Sequence, residues 1–155
     1  MRAGLVMAVL AVCGMAQGVW AQENMRWNGE EYAERAYLAY GVPETDHVRL
    51  FLSCERGGDV AFTYAFEPIN ATDGVVVTVS LEAGGISLPI EATGVRLEMD
   101  DLFILEAEIP LDDRLLDVLT AQGTLSVFVE DGSEDFPLDG ARAAAKPLAR
   151  TCGPA

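Results

Sequence analysis

Histidine, basic residues and cysteine are all scarce in this sequence. It has one histidine, 10 lysine and arginine residues against 25 aspartate and glutamate residues, and three cysteines. A Ser-His-Asp or Cys-His catalytic site would have to use His47, whose place where a turn meets a strand indicates a solvated or capping role instead. The motifs G-x-S-x-G, H-E-x-x-H and C-x-x-C and a phosphate-binding glycine loop are also missing. We therefore predict that the protein is not an enzyme.

No apolar run near the start is long enough to span a bilayer, which takes about 20 residues. Arg2 is followed by an apolar run over residues 5–12, and Val19 and Ala21 place small side chains at the two positions that a signal peptidase reads. These features predict a signal peptide over residues 1–21, cleaved after Ala21. A retained anchor is one alternative. A lipidated Cys13 is another, although Val12 departs from the small residue expected before such a cysteine.

The shortage of basic residues limits the kinds of partner. Cleavage after Ala21 would remove Arg2 and no other charged residue. The mature chain would then have nine basic and 25 acidic residues, a net charge of −16. Nucleic acid and anionic lipid both need a positive protein surface, so we expect no nucleic-acid partner and no stable membrane insertion after cleavage. We expect another protein as the partner, and a cationic protein is the more specific hypothesis. The alternative is that the charge serves solubility alone, and the oligomeric state stays open.

Two cysteines, Cys54 and Cys152, would remain after signal cleavage in a chain bound for an oxidising compartment. A disulfide between them would close a loop of nearly a hundred residues and restrict the unfolded chain by about 4–5 kcal/mol. We predict this structural disulfide. Buried free thiols and a redox-active cysteine are the alternatives.

Residues 35–155 read mostly as short strands with side chains alternating between two faces. We expect one mainly β domain here, an antiparallel β-sandwich or flattened barrel of about seven to nine strands. Residues 22–34 are expected to form an N-terminal arm that docks Trp27. Pro89 suggests a sheet edge because proline cannot donate a ladder hydrogen bond. In the segment after Gly94, alternation predicts that Val95, Leu97 and Met99 point inward.

Helical spacing occurs only late in the chain. Leu111, Leu115, Val118 and Leu119 recur at helical intervals, with Asp112 and Asp113 in the first turn. This pattern predicts one helix crossing between late strands. A short C-terminal helix is predicted over residues 140–146, to be broken or kinked at Pro147.

The segment from residue 36 to residue 54 is typical of a β-hairpin. Alternation places Val48, Leu50, Leu52 and Cys54 on the buried face, with Arg49, Phe51 and Ser53 opposite. The turn within this hairpin and the turn that follows it are the candidate partner loops, with hairpin connection alone as the alternative. Their residues are Pro43, Glu44, Thr45 and Asp46 in the first loop, and Arg56, Gly57, Gly58 and Asp59 in the second.

Acidic side chains offer two further hypotheses about chemistry. Glu106 and Glu108 share one face of a predicted strand and could form a catalytic carboxylate pair, but solvation is the ordinary explanation of such residues. Residues 131–135 supply oxygen ligands that could hold calcium weakly, yet they lack the spacing of an EF-hand. We therefore predict no catalytic residues, no metal and no cofactor.

Two stretches carry a resemblance to a known group of proteins. They are YGVPETDHVRLFLSC, residues 40–54, and FPLDGARAAAKPLARTC, residues 136–152. The chain resembles small exported proteins of alphaproteobacteria that have no assigned activity. This resemblance implies a periplasmic or secreted bacterial protein and a cysteine pair that spans the domain, and it supplies no catalytic residues. We expect a non-catalytic protein-binding or envelope-structural module. The alternative is an acidic inhibitor or immunity-type factor for a basic enzyme such as a lysozyme or a toxin.

Overall fold

A computed structural model describes residues 24–99 and 101–153, so the predicted signal peptide and Cys13 lie outside the described residues. Nine strands and three short helices make up this part of the chain. The strands are β1 Arg26–Tyr32, β2 Arg35–Gly41, β3 Val48–Glu55, β4 Val60–Ala65, β5 Val76–Ala83, β6 Ile86–Leu97, β7 Leu102–Ile109, β8 Thr124–Val129 and β9 Gly132–Pro137. The helices are α1 Asp113–Leu119, α2 Ala141–Ala144 and α3 Lys146–Cys152.

All nine strands belong to one antiparallel sheet, curled into a half-barrel, with the order β1-β2-β3-β4-β7-β6-β5-β8-β9. Strands β1 to β4 follow one another as hairpins. The chain then passes from β4 to β5 and returns through β6 to β7, which pairs with β4. Helix α1 carries it from β7 to β8. The predicted mainly β antiparallel fold, with a crossing helix and a short C-terminal helix, is confirmed.

The core fills the concave side of the curled sheet. Alternate residues of each strand point into it, and Leu52, Phe62 and Leu105 are almost completely buried. Full burial of one such side chain contributes roughly 1.5–3 kcal/mol, so these inward rows dominate the stability of the fold.

Helix α1 begins where the acidic residues predicted its first turn. The Asp112 carboxylate accepts a hydrogen bond from the backbone N–H of Leu115 at 2.9 Å and so caps the helix. Leu115, Val118 and Leu119 are buried against the sheet, as their spacing predicted. The helix closes the core where β7 leads into β8.

The predicted helix break occurs at Ala145, two residues before Pro147, and a further helix then begins at Lys146. Helix α2 ends at Ala144, and Pro147 lies in the first turn of α3, where its missing N–H costs no helical hydrogen bond. Leu148 and Cys152 lie four residues apart and are both buried. Helix α3 therefore continues to Cys152 and turns that cysteine toward the core.

The predicted N-terminal arm is a sheet strand over most of its described length. Strand β1 pairs with β2 residue by residue, from Arg26 opposite Gly41 to Tyr32 opposite Arg35. Trp27 is 6% exposed, and its indole Nε1 donates to the carbonyl oxygen of Pro137 at 2.7 Å. The structure thus places this segment inside the β domain, because backbone pairing and one buried aromatic anchor act together.

A β-bulge overturns part of the predicted alternation in β3. Tyr40 pairs with Leu50 and Gly41 with Val48, so Arg49 has no partner residue in β2. The bulge shifts the face of the residues before Leu50. Val48 lies beside Phe51 on the outer face, and Arg49 reaches across to β9. Leu50, Leu52 and Cys54 point into the core as predicted.

One of the two predictions about β6 needs correction. Val95 and Leu97 pair with Ile104 and Leu102 on the outer face, and Met99 is 96% exposed, because β6 continues through Gly94 without a change of register. The other prediction, a sheet edge at Pro89, agrees with the structure, because Pro89 pairs with Ser80 of β5. Strand β6 pairs with β7 only from Thr93 onward, so the side of Pro89 away from β5 is a local sheet edge, where its missing N–H leaves no gap in a ladder.

Candidate functional site

A second apolar layer covers the outer, convex side of the sheet. Ala39, Ala65 and Ile104 are 7%, 5% and 5% exposed, yet none of them belongs to the core cluster. Ala65 pairs with Ile104, and Ala39 pairs with Phe51, on outward-facing positions. These three side chains are therefore covered by apolar neighbours on the outer face and not by the core.

Phe51 lies at the centre of this layer. Its ring stacks on Tyr37 with centroids 5.8 Å apart and an interplanar angle of 22°. It lines three open depressions of about 270, 380 and 270 Å³. The outer groove, as we call this surface, comprises Tyr37, Ala39, Val48, Phe51, Leu97 and Leu102.

The first predicted partner loop forms one end of the outer groove. Pro43, Glu44 and Thr45 line the first depression, and Asp46 lines the third. The Thr45 hydroxyl donates to the carbonyl oxygen of Val42 at 2.8 Å and accepts from the backbone N–H of His47 at 3.2 Å. These bonds hold the 43–46 loop in a defined turn at the end of the groove.

The second predicted partner loop lies at the other end of β3. Arg56, Gly57, Gly58 and Asp59 connect β3 to β4, whereas the 43–46 loop precedes β3. Eight strand residues separate them, a distance of about 26 Å. Arg56 is engaged by the Glu34 carboxylate at 2.6 Å. The structure therefore does not bring the two loops together into one surface.

The rim of the outer groove is acidic. Glu44, Asp46 and Glu106 are exposed, and none of them forms an ion pair within the described residues. Glu30 lies opposite Tyr37 in the β1–β2 pair. Burial, together with the negative charge of Glu30, raises the pKa of the Tyr37 phenol. A ligand of this groove would meet carboxylates around an aromatic floor.

A polar cluster next to the groove joins three strands. The Arg49 guanidinium contacts the Glu134 carboxylate at 2.6 and 3.1 Å, and the Tyr64 hydroxyl donates to the same carboxylate at 3.1 Å. The hydrogen bond to Glu134 raises the pKa of Arg49. Burial and the Glu134 charge raise the pKa of Tyr64 well above its ordinary value. The Glu134 carboxylate accepts hydrogen bonds from both Arg49 and Tyr64, so the cluster holds β9 against β3 and β4.

The acidic pairs considered for catalysis or metal binding lie on the surface. Glu106 and Glu108 are exposed on the outer face of β7, opposite Thr63 and Ala61. The Asp131 carboxylate accepts a hydrogen bond from the backbone N–H of Ile69 at 2.8 Å. Across residues 24–99 and 101–153, no three His, Cys, Asp or Glu side chains are grouped closely enough to hold a metal ion.

Cys54 and Cys152 lie at disulfide distance. Their Cα atoms are 6.2 Å apart, within the range that a disulfide spans, although 98 residues separate them in sequence. Cys54 is on the inward row of β3, and Cys152 is in the last turn of α3. The pair links the C-terminal helix to the strand that carries Phe51 on its other face.

Comparison of this chain with protein-family models, with curated proteins and with solved structures finds no match. In the part of the chain that the structure describes, no helix is long and apolar enough to cross a membrane. The candidate site is therefore defined by its own geometry and chemistry.

Sequence reasoning identified the 43–46 loop but missed the rest of the outer groove. One signal was present in β2, where nearly every residue is apolar or aromatic, which is typical of a strand with apolar neighbours on both faces. The other was Phe51, a large apolar side chain on the row otherwise predicted to be polar. The contribution of Leu97 and Leu102 depends on strand order, which alternation does not encode.

Proposed function

We propose that this chain is an exported bacterial protein, periplasmic or secreted, that acts as a non-catalytic protein-binding or envelope-structural module. Its binding surface is the outer groove. The observation that carries the proposal is an apolar layer, centred on the Tyr37–Phe51 stack, on the face of the sheet opposite the core. Apolar surface of this kind, rimmed by polar residues, marks interaction sites in soluble proteins.

Export is supported by two features. Residues 1–21 have the pattern of a signal peptide, and the two cysteines of the mature chain lie at disulfide distance. Sequencing the N-terminus of the protein recovered from outside the cytoplasm tests this part of the proposal. The expected first residue is Gln22, and a chain recovered with Met1 would contradict signal cleavage.

Affinity capture from a periplasmic extract tests the binding surface. The mature wild-type protein is compared with Phe51→Ser and with Phe128→Ser. Phe128 is a matched control because it is 41% exposed on β8, outside the groove. We expect wild type and the Phe128 variant to retain the same partner and the Phe51 variant to lose it. Equal retention by all three proteins would reject the groove as the binding surface.

A second candidate function is inhibition of a basic enzyme such as a lysozyme or a toxin. It is favoured by the carboxylates of Glu44, Asp46 and Glu106, which form no ion pair within the described residues. Binding to a basic enzyme should weaken steeply as salt screens exposed charges beyond about 10 Å at 0.1 M. Inhibition assays at low and high salt distinguish this function from a structural module, whose binding should depend little on salt.

A further inference from the structure

We infer that the outer groove binds an extended, cationic segment of another polypeptide, with apolar side chains seated on either side of Phe51. This inference rests on the proposed binding function and names the chemistry of the partner. Two independent features of the molecule support it, the shape of the groove and the distribution of charge around it.

The shape of the groove favours an extended segment. Two of its depressions lie along β2 and β3, one toward Gly41 and Val48 and the other toward Ser53, and both include the Tyr37–Phe51 stack. The track follows the strand direction for about 20 Å, the length of six strand residues. Side chains on one face of an extended segment recur about every 6.6 Å, so about three of them fit along the track.

The charge around the groove favours cationic side chains between those anchors. Glu44 and Asp46 lie at one end, and Glu106 is exposed on the outer face of β7. Two guanidinium groups, those of Arg35 and Arg49, also line the depressions. Each is already engaged by a carboxylate, Arg35 by Glu55 at 2.5 Å and Arg49 by Glu134 at 2.6 Å. Within residues 24–99 and 101–153, the rim carboxylates of Glu44, Asp46 and Glu106 therefore have no compensating cation. Lysine or arginine side chains of a partner would neutralise them.

The same charge argues against a second copy of this chain as the occupant. A symmetric dimer through the groove would bring the same rim carboxylates of both copies into opposition. Like charges facing each other across an interface oppose association. An acidic or anionic occupant, such as nucleic acid, is disfavoured for the same reason.

The test uses three amidated nine-residue peptides and the mature protein. The first alternates lysine with leucine and tryptophan, the second has glutamate in place of lysine, and the third has serine in place of the apolar residues. Binding is followed by two-dimensional NMR and by calorimetry at low salt. We expect the first peptide to bind and to shift the resonances of Tyr37, Val48 and Phe51. Equal binding of the second or third peptide, or shifts centred on Phe128, would overturn the inference.

Protein variants separate this inference from the proposed function. Phe51→Ser should weaken binding of the first peptide by about tenfold or more, and Leu102→Ser provides a second groove variant. The double variant Glu44→Gln, Asp46→Asn should weaken binding at low salt and reduce its salt dependence. Circular dichroism confirms that each variant is folded, and Phe128→Ser is the control. A partner captured through Phe51 whose affinity is unchanged in the carboxylate variant would leave the proposed function intact and reject the cationic occupant.

Discussion

Arg49 and Glu134, 85 residues apart in sequence, meet through two hydrogen bonds of 2.6 and 3.1 Å. The β-bulge in β3 leaves Arg49 without a pairing partner in β2. Glu134 lies on β9, at the edge of the sheet. Tyr64 on β4 donates to the same carboxylate. This pair therefore ties an edge strand to the middle of the sheet and helps to keep the sheet curled.

Replacing Glu134 with glutamine should lower the free energy of unfolding by about 1–2 kcal/mol. The change removes the charge that the half-buried Arg49 guanidinium needs, while keeping the shape of the side chain. Urea unfolding measures the loss. Glu55→Gln is the control, because the Arg35–Glu55 pair is 75% and 71% exposed and should contribute less than about 1 kcal/mol. Equal losses in the two variants would show that the Arg49 pair has no special structural role.

Trp27→Phe should destabilise the protein by about 1 kcal/mol or more. It removes the hydrogen bond from the indole to the Pro137 carbonyl, which links the two edge strands β1 and β9. Hydrogen exchange should show faster opening of both edge strands. Tyr32→Phe, at a side chain 64% exposed, serves as the matched control. Unchanged exchange in β9 would contradict the link.

Alkylation of exported protein should modify Cys54 and Cys152 only after reduction. Intact mass is measured with and without reductant on denatured protein, and two modifications without reductant would reject the disulfide. Replacing both cysteines with alanine should then lower stability by about 2–5 kcal/mol, because the long loop between them is no longer closed. Binding of a groove ligand should persist, since Cys54 points into the core and Phe51 points outward.

The ion pair between Glu67 and Arg96 should make stability depend on acid pH. The hydrogen bond from Arg96 lowers the pKa of Glu67 from its ordinary value of 4.5. A lowered folded-state pKa contributes stability above pH 4.5, and that contribution is lost as pH falls through the folded-state pKa. The difference in Tm between wild type and Glu67→Gln should therefore be largest above pH 4.5 and shrink below it. Glu130→Gln is the control, and a difference that does not change with pH would contradict this assignment.

Gly29→Ala should destabilise the protein by about 1–3 kcal/mol. A Cβ at Gly29 would collide with the backbone carbonyl oxygen of Ala144 at the end of α2, so the helix would have to move away from β1. Gly132→Ala is a matched strand control, since its Cβ would lie 3.5 Å from the Phe66 ring in ordinary contact. Thermal unfolding of the two variants measures the difference. Equal midpoints would mean that α2 does not pack closely on β1.

Much of the fold could be predicted from the sequence because its signals are local. Alternating apolar residues predicted most strands, and Asp112 followed by leucines at helical spacing predicted α1. The predictions failed where pairing with a strand distant in sequence changed the face of the sheet on which a side chain lies. The bulge at Arg49 moved Val48 to the outer face, and uninterrupted pairing along β6 put Val95 and Leu97 there as well.

The candidate site was only partly accessible from the sequence. The turn chemistry of Pro43 to Asp46 indicated an exposed loop, and Phe51 was visible as an apolar residue on a polar row. The groove also needs Leu97 of β6 and Leu102 of β7. These two leucines lie near β3 and β4 only because the strand order is β4-β7-β6. No local pattern specifies that order.

By itself, the sequence determined the mainly β character, the position of α1, the acidic charge and the two cysteines of the predicted mature chain, because residue type and spacing carry these properties. The tertiary structure alone decided which strands are neighbours, which face Val48 and Arg49 occupy, and that Cys54 and Cys152 come to disulfide distance. Those outcomes depend on backbone pairing and packing between residues far apart in the chain. The outer groove is likewise decided by the tertiary structure, since its walls come from strands that meet only when the sheet is complete.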